Sequence, residues 1–133
     1  MTSAIDDLVS ETLERAKHLK KNLSQKFEIA SLTLNSKIPF KALSLREVLL
    51  HRFADQSAVA AFAMESRNPV SAATLTRGCM ETLARIYEEN VAIERCLKDK
   101  DLERLDGFLM NRMFGARDKG SEWEQASNIL GAI

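Results

Sequence analysis

The sequence predicts an all-α fold, an antiparallel bundle of four main helices plus a short C-terminal helix, in a single domain over residues 1–133. Three observations carry this expectation. Apolar residues recur every three or four positions through most of the chain, the period of a helix and not of a strand. Turn material is scarce, at five glycines and two prolines. The few β-branched residues form no alternating run.

The first helix opens with Thr2 or Ser3 as cap and sets Asp6, Asp7 and Glu11 in its first turns, where they complement the dipole. Ile5, Val9, Leu13, Ala16, Leu19 and Leu23 share a stripe that continues through Phe27, Ala30 and Leu34, so one helix is expected over that whole span. Its other side turns basic with Arg15, Lys17, Lys20, Lys21 and Lys26. We read these as a solvated face, with an RNA or phosphate contact as the alternative. His18, at the polar edge, carries no assigned role.

Asn35–Lys41 breaks the pattern, because Pro39 disfavours helix at Ile38. The second helix is expected from Ser44, where Ser-Leu-Arg-Glu reads as a capping box closed by Glu47. It runs to about Ser66 with Leu45, Val48, Leu49, Phe53, Val59 and Phe62 apolar, and its alanines, clustered between residues 58 and 63, permit a close helix neighbour. His51 and Asp55 stand four apart. They read either as an acid–base pair, in which the carboxylate fixes the imidazole tautomer, or as an ordinary helix-surface pair.

The third helix, Asn68–Leu97, is the expected centre of the fold. Asn68 caps it and Pro69 takes the first helical position. One face carries Ala72, Leu75, Cys79, Leu83, Ile86, Ile93 and Leu97; the other carries Val70, Ala73, Met80, Ala84, Tyr87 and Val91. So broad an apolar circumference predicts a helix enclosed by others and the most buried of the set. The short turn before it makes the second and third helices antiparallel neighbours. A fourth helix follows from about Asp101 to Met113, where Gly107 implies close packing or a bend. Gly115 and Gly120 bracket an ARDK loop, and a short final helix is expected over Ser121–Leu130.

Composition limits the chemistry. Nineteen acidic and nineteen basic residues cancel, so no global field favours nucleic acid, membrane or a polyanion, although a local patch remains open. The first residues, MTSAIDDLVSE, place acids where a signal peptide needs bases, and a cytoplasmic protein is expected. No uncharged run approaches the ~18 residues of a membrane span. Cys79 and Cys96, about 25 Å apart along one helix, are too distant for a disulfide and read as small buried hydrophobes.

There is no glycine-rich phosphate loop, no His-Glu-x-x-His, no Cys-x-x-Cys and no nucleophile elbow. Two scattered histidines and two cysteines do not suggest a metal site, and no cofactor is expected. What remains is Arg77 and Glu81, four apart on the third helix, with Tyr87 able to add a hydrogen bond. Two readings stand: an internal ion pair that fixes helix register, or a ligand- or RNA-facing site.

An Arg-x-x-x-Glu in an apolar third helix, followed by an aromatic and a charged corner (LTRGCMETLARIYEENVAIERCLKDKD), resembles a family of uncharacterised bacterial helical proteins related to the HEPN superfamily. The likeness covers about Leu45–Phe114. It implies a helical bundle, often dimeric, of the kind found in toxin–antitoxin and phage-defence systems. Active members of that superfamily resemble one another in an Arg-x(4-6)-His motif that cleaves RNA. This chain departs there, since Arg112 and Arg117 are followed by no histidine and His18 and His51 are the only two. The resemblance thus implies a non-catalytic member working as a homodimer or with a helical protein partner. An RNA- or nucleotide-handling, ribonuclease-like enzyme built on Arg77 and Glu81 is the alternative.

Overall fold

The computed structural model describes residues 2–115. The ARDK loop, Arg117 and the helix expected over Ser121–Leu130 lie outside the described residues. Five helices and no strand occur among the described residues: α1 (Thr2–Asn22), α2 (Ile29–Leu32), α3 (Ile38–Glu65), α4 (Pro69–Asp99) and α5 (Leu102–Phe114). None is long and apolar enough to cross a membrane. The chain divides into two compact units, one of Met1–Gln25 with Glu47–Arg85 and one of Lys26–Arg46 with Ile86–Ile133.

The first helix is shorter than its apolar stripe implies. It stops at Asn22, whose side-chain amide turns back to donate to the His18 carbonyl at 2.9 Å. The Ser24 N–H is then taken by the Glu47 carboxylate at 3.2 Å. A tertiary contact therefore ends the helix while its periodicity continues. Ala30 falls in the short α2, and Leu34 beyond it is 82% exposed.

The second long helix begins six residues before the expected Ser44. Ser36 Oγ accepts the Ile38 N–H at 3.1 Å, and the first helical bond runs from Lys41 N–H to the Lys37 carbonyl at 3.0 Å. Pro39 sits in the first turn, where the N–H it lacks would have had no helical partner. The Ser44–Glu47 capping box does not form, because Glu47 is already inside the helix and bound to Ser24.

The ends of α4 follow the sequence closely. Asn68 Oδ1 accepts the Ser71 N–H at 3.2 Å, satisfying a donor that the helix leaves open. Asp101 does the same for Arg104 at the start of α5, at 3.0 Å.

In the first unit, the buried apolar residues are mostly small: Ala16 of α1, Ala54, Ala60, Ala61 and Ala63 of α3, and Ala72 and Cys79 of α4, with Leu49 the largest; Glu47 and Thr82 are buried with them. Small side chains let backbones approach, and α3 meets α4 through Ser57 against Cys79 and Gln56 against Thr82. A Lys20–Asp55 ion pair of 2.6 Å ties α1 to α3. In the second unit, Cys96 of α4 packs with Leu105 and Leu109 of α5, and Ile38, Ala42 and Leu45 of α3 close over them. Lys41 and Asp106 pair beside that core at 2.6 Å.

α4 is not the enclosed, most buried helix that two apolar faces predict. Its buried residues are Ala72, Cys79, Thr82, Glu89 and Cys96, a single seam, and α3 buries six residues against these five. Leu75, Ile86 and Ile93 are half-buried between them, which completes alternating steps of three and four from residue 72 to residue 96. That is the 3.5-residue period of a helix contacted along one line. Val70, Met80 and Tyr87 of the expected second face are exposed, as are Leu83 and Leu97 of the first.

Candidate functional site

Arg77 and Glu81 do meet, with Arg77 Nε 3.2 Å from Glu81 Oε1. The pair is not internal. The Arg77 side chain is 62% exposed and that of Glu81 35%, so neither charge is taken far from water. Tyr87 bonds to neither residue and is itself 70% exposed. The proposed His51–Asp55 pair does not form. Asp55 is held by Lys20, and the His51 ring nitrogen lies 3.5 Å from the Ser24 carbonyl oxygen. Lys20 and Arg15, of the basic side of α1, engage Asp55 and Glu11, both at 2.6 Å, in keeping with a solvated helix face.

Cys79 and Cys96 are free and buried. Among the described residues no cluster of histidine, cysteine and carboxylate side chains could hold a metal ion.

Two features of the second unit carry the chemistry. The first is a cleft of about 310 Å³ between the C-terminal half of α4 and α5. Residues 87, 88, 91, 92 and 95 recur at helical spacing and so face it together; α5 answers with Arg104, Leu105, Phe108 and Arg112. The half-buried Arg112 donates from Nη2 to Glu88 Oε2 at 2.7 Å, and its guanidinium lies 5.3 Å from the centroid of the Phe108 ring. Arg112 is thereby fixed by an ion pair and a ring together. Arg95 and Arg104 are exposed and make no ion pair among the described residues. Tyr87 and Phe108 supply two aromatic rings, and Val91, Ala92 and Leu105 the apolar wall.

The second feature is Glu89, next in sequence to Glu88 but turned into the protein. It is 2% exposed, and its Oε1 has no hydrogen-bond partner. Burial raises its carboxyl from 4.5 to about 7, a rise that the positive charge of Arg46 opposes. A carboxyl so placed changes charge near neutrality.

The sequence does not single out Arg95, Arg104 or Glu89. A signal for Glu89 exists: it occupies the step between Ile86 and Ile93 in the three–four register, where a buried side chain belongs whatever its polarity. The arginines leave no comparable trace, because they are brought together across the turn from α4 to α5. No family model matches the chain, and no curated protein or solved structure matches it.

Proposed function

We propose that the chain is a non-catalytic, HEPN-like helical module of the bacterial cytoplasm, acting by homodimerisation or by docking a helical protein partner, as a regulator in a defence or toxin–antitoxin system. The observation that carries the docking role is an exposed stripe on α3 in the first unit. Val48, Val59 and Phe62 are 64%, 51% and 62% exposed. With Arg52 and Asp55 between them they follow steps of four and three, the spacing of a coiled-coil seam; Lys20 of α1 reaches Asp55 in this line, while the three apolar side chains are left exposed. Val70, Ala73 and Met80 of α4 repeat the pattern around Arg77. Apolar side chains in register, with two charges in the middle of the α3 line and one in the α4 line, suit a contact that must be specific as well as adhesive.

The ribonuclease-like alternative draws no support from Arg77 and Glu81, which neutralise each other at the surface with no third ionisable group bonded to them among the described residues. Sedimentation velocity at micromolar concentration tests the docking role. The wild type is expected at twice 14.9 kDa, and Val59→Ser with Phe62→Ser at the monomer mass. A wild type that sediments only at 14.9 kDa removes homodimerisation from the reading.

A further inference from the structure

We propose that the α4–α5 cleft of the second unit is the docking groove for residues 121–133 of the same chain, with Trp123 seated in it. The wall of the cleft is apolar, formed by Val91, Ala92 and Leu105, and Tyr87 stands at its edge, 70% exposed. The rim is basic: three guanidinium groups, of Arg95, Arg104 and Arg112, and one carboxylate, of Glu88, leave a net charge of +2. Arg95 and Arg104 are exposed. An apolar strip between basic borders fits an amphipathic helix that carries acids beside its apolar line.

The chain itself supplies a segment of that chemistry. From residue 121 the sequence SEWEQASNILGAI holds two acids and no base. Trp123, Ala126, Leu130 and Ile133 follow steps of three, four and three, one line along a helix. Glu122 and Glu124 flank the tryptophan, one on each side of that line. Apolar line and acidic borders thus answer the apolar wall and basic rim of the cleft.

The place where α5 ends favours this occupant over a free partner. Gly115 has φ of 66°, a conformation that glycine enters without a Cβ clash, and its N–H bonds to the Asn111 carbonyl at 2.8 Å. The chain is turned off the axis of α5 there, three residues beyond the Arg112 that lines the cleft. Residues 116–120 then span at most roughly 17 Å. The α4 wall of the cleft, from residue 87 to residue 95, is about 12 Å long, so Trp123 is within reach of all of it. A tether this short gives an effective concentration on the order of millimolar, which a second copy at micromolar concentration does not match.

Trp123 is the only tryptophan, so fluorescence of the full-length protein reads the docking directly. Its emission is expected to the blue of N-acetyltryptophanamide, with weaker quenching by acrylamide. Arg95→Glu with Arg104→Glu alters exposed side chains, and circular dichroism should show the helices retained. That pair, and separately Glu122→Lys with Glu124→Lys, should each shift the emission to the red and raise quenching. All four substitutions together should restore the wild-type spectrum, a rescue that loss of local structure would not give. Arg77→Gln in the other unit should change nothing, and about a hundredfold dilution should leave the wild-type spectrum as it is. A wild-type tryptophan quenched as readily as the free amide overturns the proposal. So does a shielded tryptophan that both charge reversals leave unmoved, or one that the combined variant fails to restore. A red shift on dilution places the segment on a second copy and overturns docking within one chain.

Discussion

A Cβ on Gly78 of α4 would stand 2.8 Å from the amide nitrogen of Gln56 on α3. The same Gln56 presents Oε1 3.2 Å from the hydroxyl of Thr82, a residue with no exposed surface. Glycine at 78 therefore leaves room for the Gln56 side chain where it reaches across to Thr82. Gly107, which the sequence marks as close packing or a bend, would meet no atom within 4 Å if it carried a methyl group. Its helix gains nothing from its smallness.

These two glycines should respond oppositely to alanine. Gly107→Ala is expected to raise stability by about 1 kcal/mol, the helix-propensity difference alone. Gly78→Ala gains the same propensity but displaces the Gln56 amide and its contact with Thr82, worth about 1 kcal/mol, so it should be neutral or destabilising. Made in a Gln56→Ala background, Gly78→Ala should recover stability relative to its effect in the wild type. Urea melts of the four variants would show this. Equal gains at both glycines in the wild type would sink the account.

Glu89 makes stability depend on pH in a defined direction. Its carboxyl lies at 4.5 when unperturbed and about 7 in the folded chain, so the folded state holds this proton more tightly than the unfolded state. Stability should then fall as pH rises from about 4.5 to about 7 and be level in this contribution above that. The full change is about 3 kcal/mol, at about 1.4 kcal/mol per unit. Glu89→Gln, which keeps the shape and removes the charge, should abolish the slope and be the more stable protein at pH 8. A wild type whose stability rises through that interval, or a glutamine variant with the same slope, would contradict this role.

How far the fold could be read from the residues depends on what makes each feature. α4 is bounded by side chains beside its own ends, Asn68 and Pro69 before it and Asp101 after, and such local chemistry is legible. The end of α1 is not, because the Ser24–Glu47 bond that helps turn the chain there joins residues 23 apart while the apolar period runs on through Phe27. The start of α3 misleads for a related reason: proline reads as a break, yet in a first turn it forfeits no hydrogen bond. For the candidate sites the obstacle is different. Counting only apolar residues on α4 selects Leu83 and Leu97, which are exposed, and passes over Thr82 and Glu89, which are buried. The cleft arginines stand on two helices separated by a tight turn at Lys100, and their convergence is a property of that turn.

The turn between α3 and α4 holds a second adjustable residue. Arg67 has φ of 55°, with Asn68 N–H bonded to the Ala63 carbonyl at 2.8 Å and Arg67 N–H to that of Met64 at 3.0 Å. This is the Schellman arrangement, whose left-handed position glycine occupies without a Cβ clash. Arg67→Gly should relieve about 1 kcal/mol of backbone strain, less whatever flexibility it adds to the unfolded chain. Thermal unfolding is expected to move upward, with α3 and α4 unchanged by circular dichroism. A clear loss of stability would mean that the arginine side chain makes a contribution its exposed position does not reveal.

Arg77 and Glu81 supply the last prediction, and exposure decides its size. An internal pair would lose about 3–5 kcal/mol when either partner is removed, because the other charge would be left buried and alone. With the arginine side chain 62% exposed, water solvates whichever charge remains. The pair should therefore behave as a surface i, i+4 contact, with a coupling of about 0.3–0.5 kcal/mol that shrinks in salt. Arg77→Met, Glu81→Leu and the double variant should all melt close to the wild type, and the double should gain nothing over the singles. If the singles instead fall by several kcal/mol and the double recovers, the pair is covered in solution. The stripe of Val70, Ala73 and Met80 around Arg77 would then be the surface so covered, and the same variants should lose self-association together with stability.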